Sequence, residues 1–478
     1  MSRDRDLLPT RVRAGERVGV TTRGTVARLV VVFALVLAAT SVVVLDAFAS
    51  SSPSGHTLYV RAAACSDARS GDQARSPSTP VCTITAAARL ANPGDTIAVA
   101  AGTYPAFRVD RSGSPGHPIA VVAQGPVVVD ARGGATALKL MNVHDVTVTG
   151  VAFVGASQED VWLQSCGSVV LERVAVQGSA GAGIELDRCD GVTVDRSSIA
   201  GNQSAGIQEL RDVTGARYTS DTVTDNGHGP ARYNGDGIQL AGRDSLVSGS
   251  TILRNGSDPV FEHGIYASSL ATGYTIVGNQ IQQSSGADVK AAGSGRVSGN
   301  VLGSATLGIY VADNGAGQVV VDHNVVTGHF AHGVLLAGGA HATLANNTVA
   351  NAGGAVVQPT DVLVAAGSSA RVLDNLLVVS GAGERPLSIS GVGAQQVRAT
   401  LVSDGNWLAT PDPRVAVGLN GYSVPLAWWQ AASGMDRASL VTTPPVLGAD
   451  GSVLSADDGR GRGVSWDGRP SSGIGAHG

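Results

Sequence analysis

The sequence predicts an all-β solenoid. Three observations carry that prediction: a repeat of roughly 23 to 25 residues, an apolar unit at the same place in each repeat, and a composition rich in Gly but poor in aromatics. The unit recurs with anchors at Leu138 (ALKL), Val161 (DVWL), Ile184 (GIEL), Ile207 (GIQE), Ile238 (GIQL), Ile265 (GIYA), Val289 (DVKA), Ile309 (GIYV), Val334 (GVLL) and Val362 (DVLV). Successive anchors are 23, 23, 23, 31, 27, 24, 20, 25 and 28 residues apart. A sustained period in this range marks stacked coils, none of which can bury its apolar face alone. The register also predicts which distant residues lie on top of one another.

Composition narrows the function. Of 478 residues 64 are Gly, 4% are aromatic and 15% are charged. The chain is too apolar for disorder and too poor in aromatics for an ordinary globular core. A net charge of −5 and the lack of a basic patch with interleaved aromatics exclude nucleic acid as a partner. Lysine is almost absent: Lys139 and Lys290 stand against 31 Arg.

The elements follow in order. Residues 1–28 hold seven Arg and three acids, Leu29 to Leu45 is apolar, and Ala47-Phe48-Ala49 follows. The pattern 1–49 reads as an export signal with an A-x-A cleavage site; an uncleaved N-terminal anchor also fits its length. Either way the body is exported, extracellular or at the cell surface. Residues 50–118 read as an N-terminal cap: TITAAARLA forms a short helix that Asn92-Pro93-Gly94 ends, covering the open end of the stack. Coils occupy 119–400. Residues 401–478 lose the period, hold four of the five Trp and read as an irregular C-terminal cap, with Trp428 and Trp429 as candidates for sugar stacking.

Four cysteines fit an oxidising compartment. Cys65 and Cys82 flank a polar loop and are expected to pair. Cys166 and Cys189 lie one repeat apart, and stacked coils are about 4.8 Å apart, within reach of a disulfide. GNQI, GNVL, HNVV, NNTV and DNLL place an Asn at one position in successive coils. Asn tolerates left-handed bends and its amide can bond the Asn above and below, so this ladder is structural.

With its G-[IV]-x-[LV] units, x-N-x-[IV] turns, PGDTIAVAAGTY, SGSPGHPIAVVAQG and the terminal DGRPSSGIGAHG, the chain resembles the right-handed parallel β-helix proteins of the pectin-lyase-like superfamily over residues 57 to 478. The resemblance implies a right-handed parallel β-helix of about ten to twelve coils. It implies polysaccharide lyases, glycoside hydrolases, uronan epimerases or inactive surface proteins as functional neighbours. HGIY followed one coil later by DVK is similar to a pairing in secreted bacterial members. There Ser-Arg often follows; here Ala291-Ala292 does, which removes one cation that could hold a uronate carboxylate.

Read in register, the outward residue of each unit gives Lys139, Trp162, Glu185, Gln208, Gln239, Tyr266, Lys290, Tyr310 and Leu335. The middle of the stack turns polar and aromatic: Asp236, Gln239, His263, Tyr266, Asp288, Lys290 and Tyr310, spanning about 15 Å at ~4.8 Å per coil. The two longest early spacings add DNGHGPARYNGDG (225–237) and NGSDPVFEHG (255–264) beside it, bringing His228, Arg232 and Tyr233. Insertions in a solenoid collect on the binding face. The expected partner is an acidic polysaccharide, met by a monomeric chain that touches membrane only through its N-terminal apolar segment.

Lyase chemistry on a uronan removes the C5 proton beside the carboxylate and expels the O4 substituent. It needs a base, a positive charge on the carboxylate and a proton donor. Lys290 is one candidate base, opposed by Asp288, two residues away on the same outward face, which would raise its pKa unless a metal or another residue occupies that carboxylate. His263 as base with Tyr266 as donor is the other, leaving Lys290, Arg232 or a Ca²⁺ on Asp236, Asp258, Glu262 or Asp288 to meet the carboxylate. Asp236 is a further catalytic candidate: a hydrolase would use it with Asp288, about 9.6 Å apart by strand spacing. Gln239, Asp288, Tyr310, Arg232, Tyr233 and His228 are the expected substrate contacts. His323, His329 and His341 are assigned no role.

Overall fold

The computed structural model describes residues 55–229, 234–312, 314–350, 359–381, 383–393, 396–448 and 452–453, with the backbone of 463–464 and 470–471. The export segment 1–49, Arg232, Tyr233 and Trp466 lie outside the described residues. Among the described residues no helix is long and apolar enough to cross a membrane.

One coil shows how the sequence makes the fold. Ile238–Leu240, Leu246–Ser248 and Thr251–Leu253 are three-residue strands separated by bends. Each pairs in parallel with the next coil, as Ile238 with Ile265, Leu246 with Thr275 and Thr251 with Gln280. No strand of three residues is stable alone; stacking supplies both the ladder bonds and the apolar contact. Repetition gives a right-handed parallel β-helix of about 12 turns. The G-I-x-L units form one face, a 14-stranded sheet in sequence order whose last pair alone is antiparallel. A 25-stranded sheet covers the other two faces.

The anchors stack as the period predicts, Val161 on Ile184 on Ile207 on Ile238 and onward to Val362. All are fully buried. The ladder reaches beyond the limits read from the period. It starts at Thr57–Val60, paired with Thr96–Val99, and continues past 400 through Leu401–Asp404, Trp407–Ala409 and Leu440–Thr442.

The bend between the second and third strands carries a continuous side-chain ladder. Its rungs are Ser197, Asp221, Ser250, Asn279, Asn300, Asn324, Asn347, Asn375 and Asn406, each taking the backbone N–H of the rung before it. The left-handed residue is the one before each rung, such as Gly278 at φ 65°, Gly299 at 62°, His323 at 56° and Asp374 at 56°. The Asn side chain therefore supplies hydrogen bonds, while its neighbour supplies the sharp turn. The ladder ends on buried Asp436, which accepts from Asn406, Ser403, Ser439 and Trp429.

Asp221 is the acidic rung. It is 1% exposed, its Oδ2 has no hydrogen-bond partner among the described residues, and burial raises its carboxyl from 3.8 to about 8. The folded chain thus keeps a proton that the unfolded chain releases. Its contribution is fully present below pH 4 and is lost as the pH climbs towards 8. Asp221→Asn removes that loss and should stabilise the protein at pH 8 by roughly 2 kcal/mol, well under the limit of about 6 kcal/mol that ~1.4 kcal/mol per pKa unit sets over the whole shift. Denaturant titrations at pH 5 and pH 8 read it; a variant no more stable than the parent at pH 8 contradicts this account.

At the N-terminal end, the helix Ile84–Leu90 is capped by Thr83, buries Ile84, Ala87 and Ala88, and packs on the strand Phe107–Val109. Both expected disulfides are present, Cys65–Cys82 and Cys166–Cys189, the second joining stacked coils with Cα atoms 4.6 Å apart. In the C-terminal region the helix Leu426–Ser433 buries Trp429, whose Nε1 donates to Asp436. Trp429 is thus part of the core, while Trp428 is 48% exposed.

Candidate functional site

The front sheet presents the outward row in register: Gln208, Gln239, Tyr266, Lys290 and Tyr310 sit on successive coils. All are half-buried, because each stem packs between its neighbours above and below while the tip faces solvent. The Gln208 Nε2 donates to Gln239 Oε1 at 2.9 Å. The Lys290 Nζ lies 4.9 Å from the Tyr266 ring centre and 5.6 Å from that of Tyr310, a cation held between two aromatic faces. A second such contact, Lys139 over Trp162 at 4.0 Å, lies farther along the same row.

Behind the row, three residues read as outward are buried. Asp236 and His263 stack on each other in the turn that precedes the strand, at 1% and 2% exposure. Asp236 Oδ1 accepts the His263 backbone N–H at 2.7 Å, and burial holds its carboxyl well above the usual range. Asp288 is fully buried and faces the interior. It meets His329 Nε2 at 3.0 Å, a contact between residues 41 apart in sequence. Asp288 therefore does not sit beside Lys290 on the outward face, and its objection to Lys290 as base disappears. Neither Asp236 nor Asp288 reaches a glycan, so the two-carboxylate hydrolase arrangement is not formed.

His263 has a defined tautomer. Its Nδ1 accepts the Ala287 backbone N–H at 3.0 Å, so the neutral ring carries its proton on Nε2. Burial, helped by the charge of Lys290, lowers its pKa to about 3. The ring is neutral at any ordinary pH and offers a donor rather than a base. That Nε2 is buried without a partner among the described residues. The ring stands 5.8 Å from that of Tyr266.

The insertions are partly described. His228 is exposed and its Nε2 contacts the carbonyl of Arg254, whose guanidinium binds Asp225 through two bonds. Glu262 is buried and closes its loop on the N–H groups of Ser257 and Asp258. Val260 and Phe261 remain exposed at the loop tip. The carboxylates considered for calcium are thus engaged separately: Asp258 Oδ1 accepts from Val260 and Phe261. Among the described residues no three His, Cys, Asp or Glu come together to hold a metal ion.

Two features carry information the sequence reading did not use. Glu185 stands in the same row, paired with Gln208, and burial with the charges of Glu159 and Asp187 raises its carboxyl to about 7. Asp160, Asp288 and Asp361 occupy the position before the anchor, where the other coils from Gly183 to Gly333 have Gly. A Cβ there points inward: at Gly264 it would meet Ser284 Oγ at 2.6 Å. The switch from Gly to Asp was the sequence signal for an inward carboxylate. Glu209 is likewise buried; burial raises its carboxyl, and four donors, from Tyr218, Ala241, Gly242 and Ser245, oppose that rise and satisfy its oxygens.

Comparison with known proteins agrees with this architecture. A family model described as "right handed beta helix region" matches residues 136–302, and one described as "periplasmic copper-binding protein (NosD)" matches 231–382. No curated protein matches the chain. Among solved structures, a family 6 alginate lyase, AlyGC, aligns at 13% identity over 80% of this chain and 56% of its own, with a TM-score of 0.51. An alginate lyase from Paenibacillus sp. strain FPU-7 aligns at 19% identity over 55% of this chain and 90% of its own, TM-score 0.42. A mannuronic-acid-specific family 6 lyase from human gut microbiota aligns at 14% over 74% and 87%, TM-score 0.48. At these identities the likeness concerns the fold alone, a right-handed parallel β-helix.

Proposed function

We propose that the chain is an exported β-helix protein that acts on a uronate-containing polysaccharide by β-elimination, with the row Gln239–Tyr266–Lys290–Tyr310 as its contact surface. The observation that carries this reading is Lys290 held between Tyr266 and Tyr310 with no carboxylate beside it on the outward face. Among the described residues it is the only cation in the row between Gln208 and Leu335. An ammonium there can neutralise a uronate carboxylate and so stabilise the charge that develops when C5 loses its proton. Aromatic rings on either side offer flat faces to sugar rings. Tyr266 is the proton-transferring group: its oxygen, as phenolate, takes the C5 proton, the C4=C5 bond forms as the C4–O bond breaks, and the phenol so formed returns the proton to the leaving O4. His263, neutral and with its ring centre 5.8 Å from that of Tyr266, backs that ring. The alginate lyase AlyGC, which this chain resembles in fold, acts on such a substrate, and the two disulfides support export.

A second reading has one specific observation behind it. Glu185, half-buried with its carboxyl raised to about 7, is poised as a general acid in the same row, which is what hydrolysis asks for. A panel of uronans separates the readings. The lyase yields an unsaturated product that absorbs in the ultraviolet; a hydrolase yields new reducing ends without that absorbance; a binding module retains glycan without shortening it. Absence of the absorbing product across the panel contradicts the elimination reading.

A further inference from the structure

We infer that a cleft on the second face of the helix, bounded by His341, Ser369, Arg371 and Arg398, binds the carboxylate of an acidic sugar. The inference stands on the cleft and does not need the outward row to be catalytic. The cleft measures ≈ 440 Å³, in the range of small-molecule sites. Its lining holds two Arg and one His, and no carboxylate. Such a lining selects an anion.

The cationic groups are held by different parts of the fold. His341 and Ser369 are in register on adjacent strands, with Nδ1 2.5 Å from Oγ. The buried side chain of Asn314 pins the His341 backbone from both sides: it accepts the N–H at 2.9 Å and donates to the carbonyl at 2.7 Å. Arg398 is fixed where its Nε donates to the Ser433 carbonyl, at the end of the C-terminal helix. Arg371 projects from the same strand two residues beyond Ser369, exposed, with no hydrogen bond or ion pair among the described residues. A guanidinium fork without an acid partner matches a carboxylate bidentately. The remaining lining is mostly small or aliphatic, with Ala342, Ala370 and Leu401 among it, and adds the polar Gln318 and Thr400. A cation beside a small apolar floor suits a carboxylated pyranose, which pairs one charged edge with a C–H face. The Ser–His pair does not read as an acyl-transfer centre, because the lining has no carboxylate to orient the imidazole.

The test uses the full chain carrying Lys290→Met, which disables the outward row and leaves the cleft intact. Calorimetric titration with a uronate trisaccharide should still show one site, and adding Arg371→Gln should weaken it at least tenfold with the unfolding midpoint unchanged. The carboxyl-reduced trisaccharide should not bind. Loss of all binding in Lys290→Met alone, or binding that Arg371→Gln leaves unchanged, overturns the inference. So does equal binding of the reduced sugar. Inorganic sulfate binding as tightly as the trisaccharide also overturns it, since the cleft would then be a plain oxyanion site. Failure of the uronan panel with retained trisaccharide binding here would sink the elimination reading and leave this one standing.

Discussion

Lys290→Met should lower the rate of unsaturated product formation on the responsive uronan about 10²-fold or more, while the fold stays intact. The magnitude follows from removing one preorganised group aimed at developing charge. Met keeps the length and apolar stem, so the packing between Tyr266 and Tyr310 survives and only the charge leaves. A surface position in a half-buried row carries little stability, so the unfolding midpoint should not move. Lys290→Arg should recover part of the rate, because it restores charge but not shape. Activity that survives Lys290→Met undiminished removes the site from the front sheet.

Asn300→Ala should destabilise the protein by roughly 3–5 kcal/mol, as several buried groups lose partners at about 1–3 kcal/mol each. Asn300 Oδ1 takes the N–H and the Nδ2 of Asn279, both at 2.9 Å. Its own Nδ2 donates to the carbonyls of Ile276 and Ser298 and to Asn324 Oδ1. Alanine leaves all of these in a bend buried from water. Asn300→Ser should cost less, because Ser197 and Ser250 already serve as rungs elsewhere. Hydrogen exchange at the amides of Asn279 and Asn300 reads the local effect, which matters because coils of a solenoid need not unfold as one unit. A midpoint and exchange pattern unchanged by Asn300→Ala contradict the ladder's structural role.

The stacking was legible because burial repeats with the coil. Anchors such as Ile207 and Ile238 differ by 31 residues yet pair directly, since the extra residues leave the stack as a loop. The Cys166–Cys189 bridge was legible for the same reason. Side-chain direction was legible only inside strands. The rule of alternation predicts Tyr266 and Lys290 outward correctly, because Ile265–Ala267 and Ala287–Ala291 are strands. It fails for His263, which lies in the turn before its strand, where the chain bends and points the ring inward. Asp288 was misplaced because its position, occupied by Gly in most coils, faces the interior. Its partner His329, two coils away, carried no local signal. The cleft around Arg371 was invisible for a further reason: it depends on Arg398, 36 residues past the last repeat anchor Val362, and on the C-terminal helix, which lies where the period has been lost.

The chain offers a direct measurement of the central claim, because it has only two lysines. Lys139 and Lys290 stand on the same row six coil steps apart, about 29 Å at ~4.8 Å per step, farther than a uronate trisaccharide reaches. Reductive methylation with mass-spectrometric readout, with and without a saturating uronate trisaccharide, reports on each separately. The account predicts that the uronate slows modification of Lys290 and leaves Lys139 unaffected, and that the carboxyl-reduced sugar protects neither. Modification of Lys290 at the same rate with and without the uronate would contradict it.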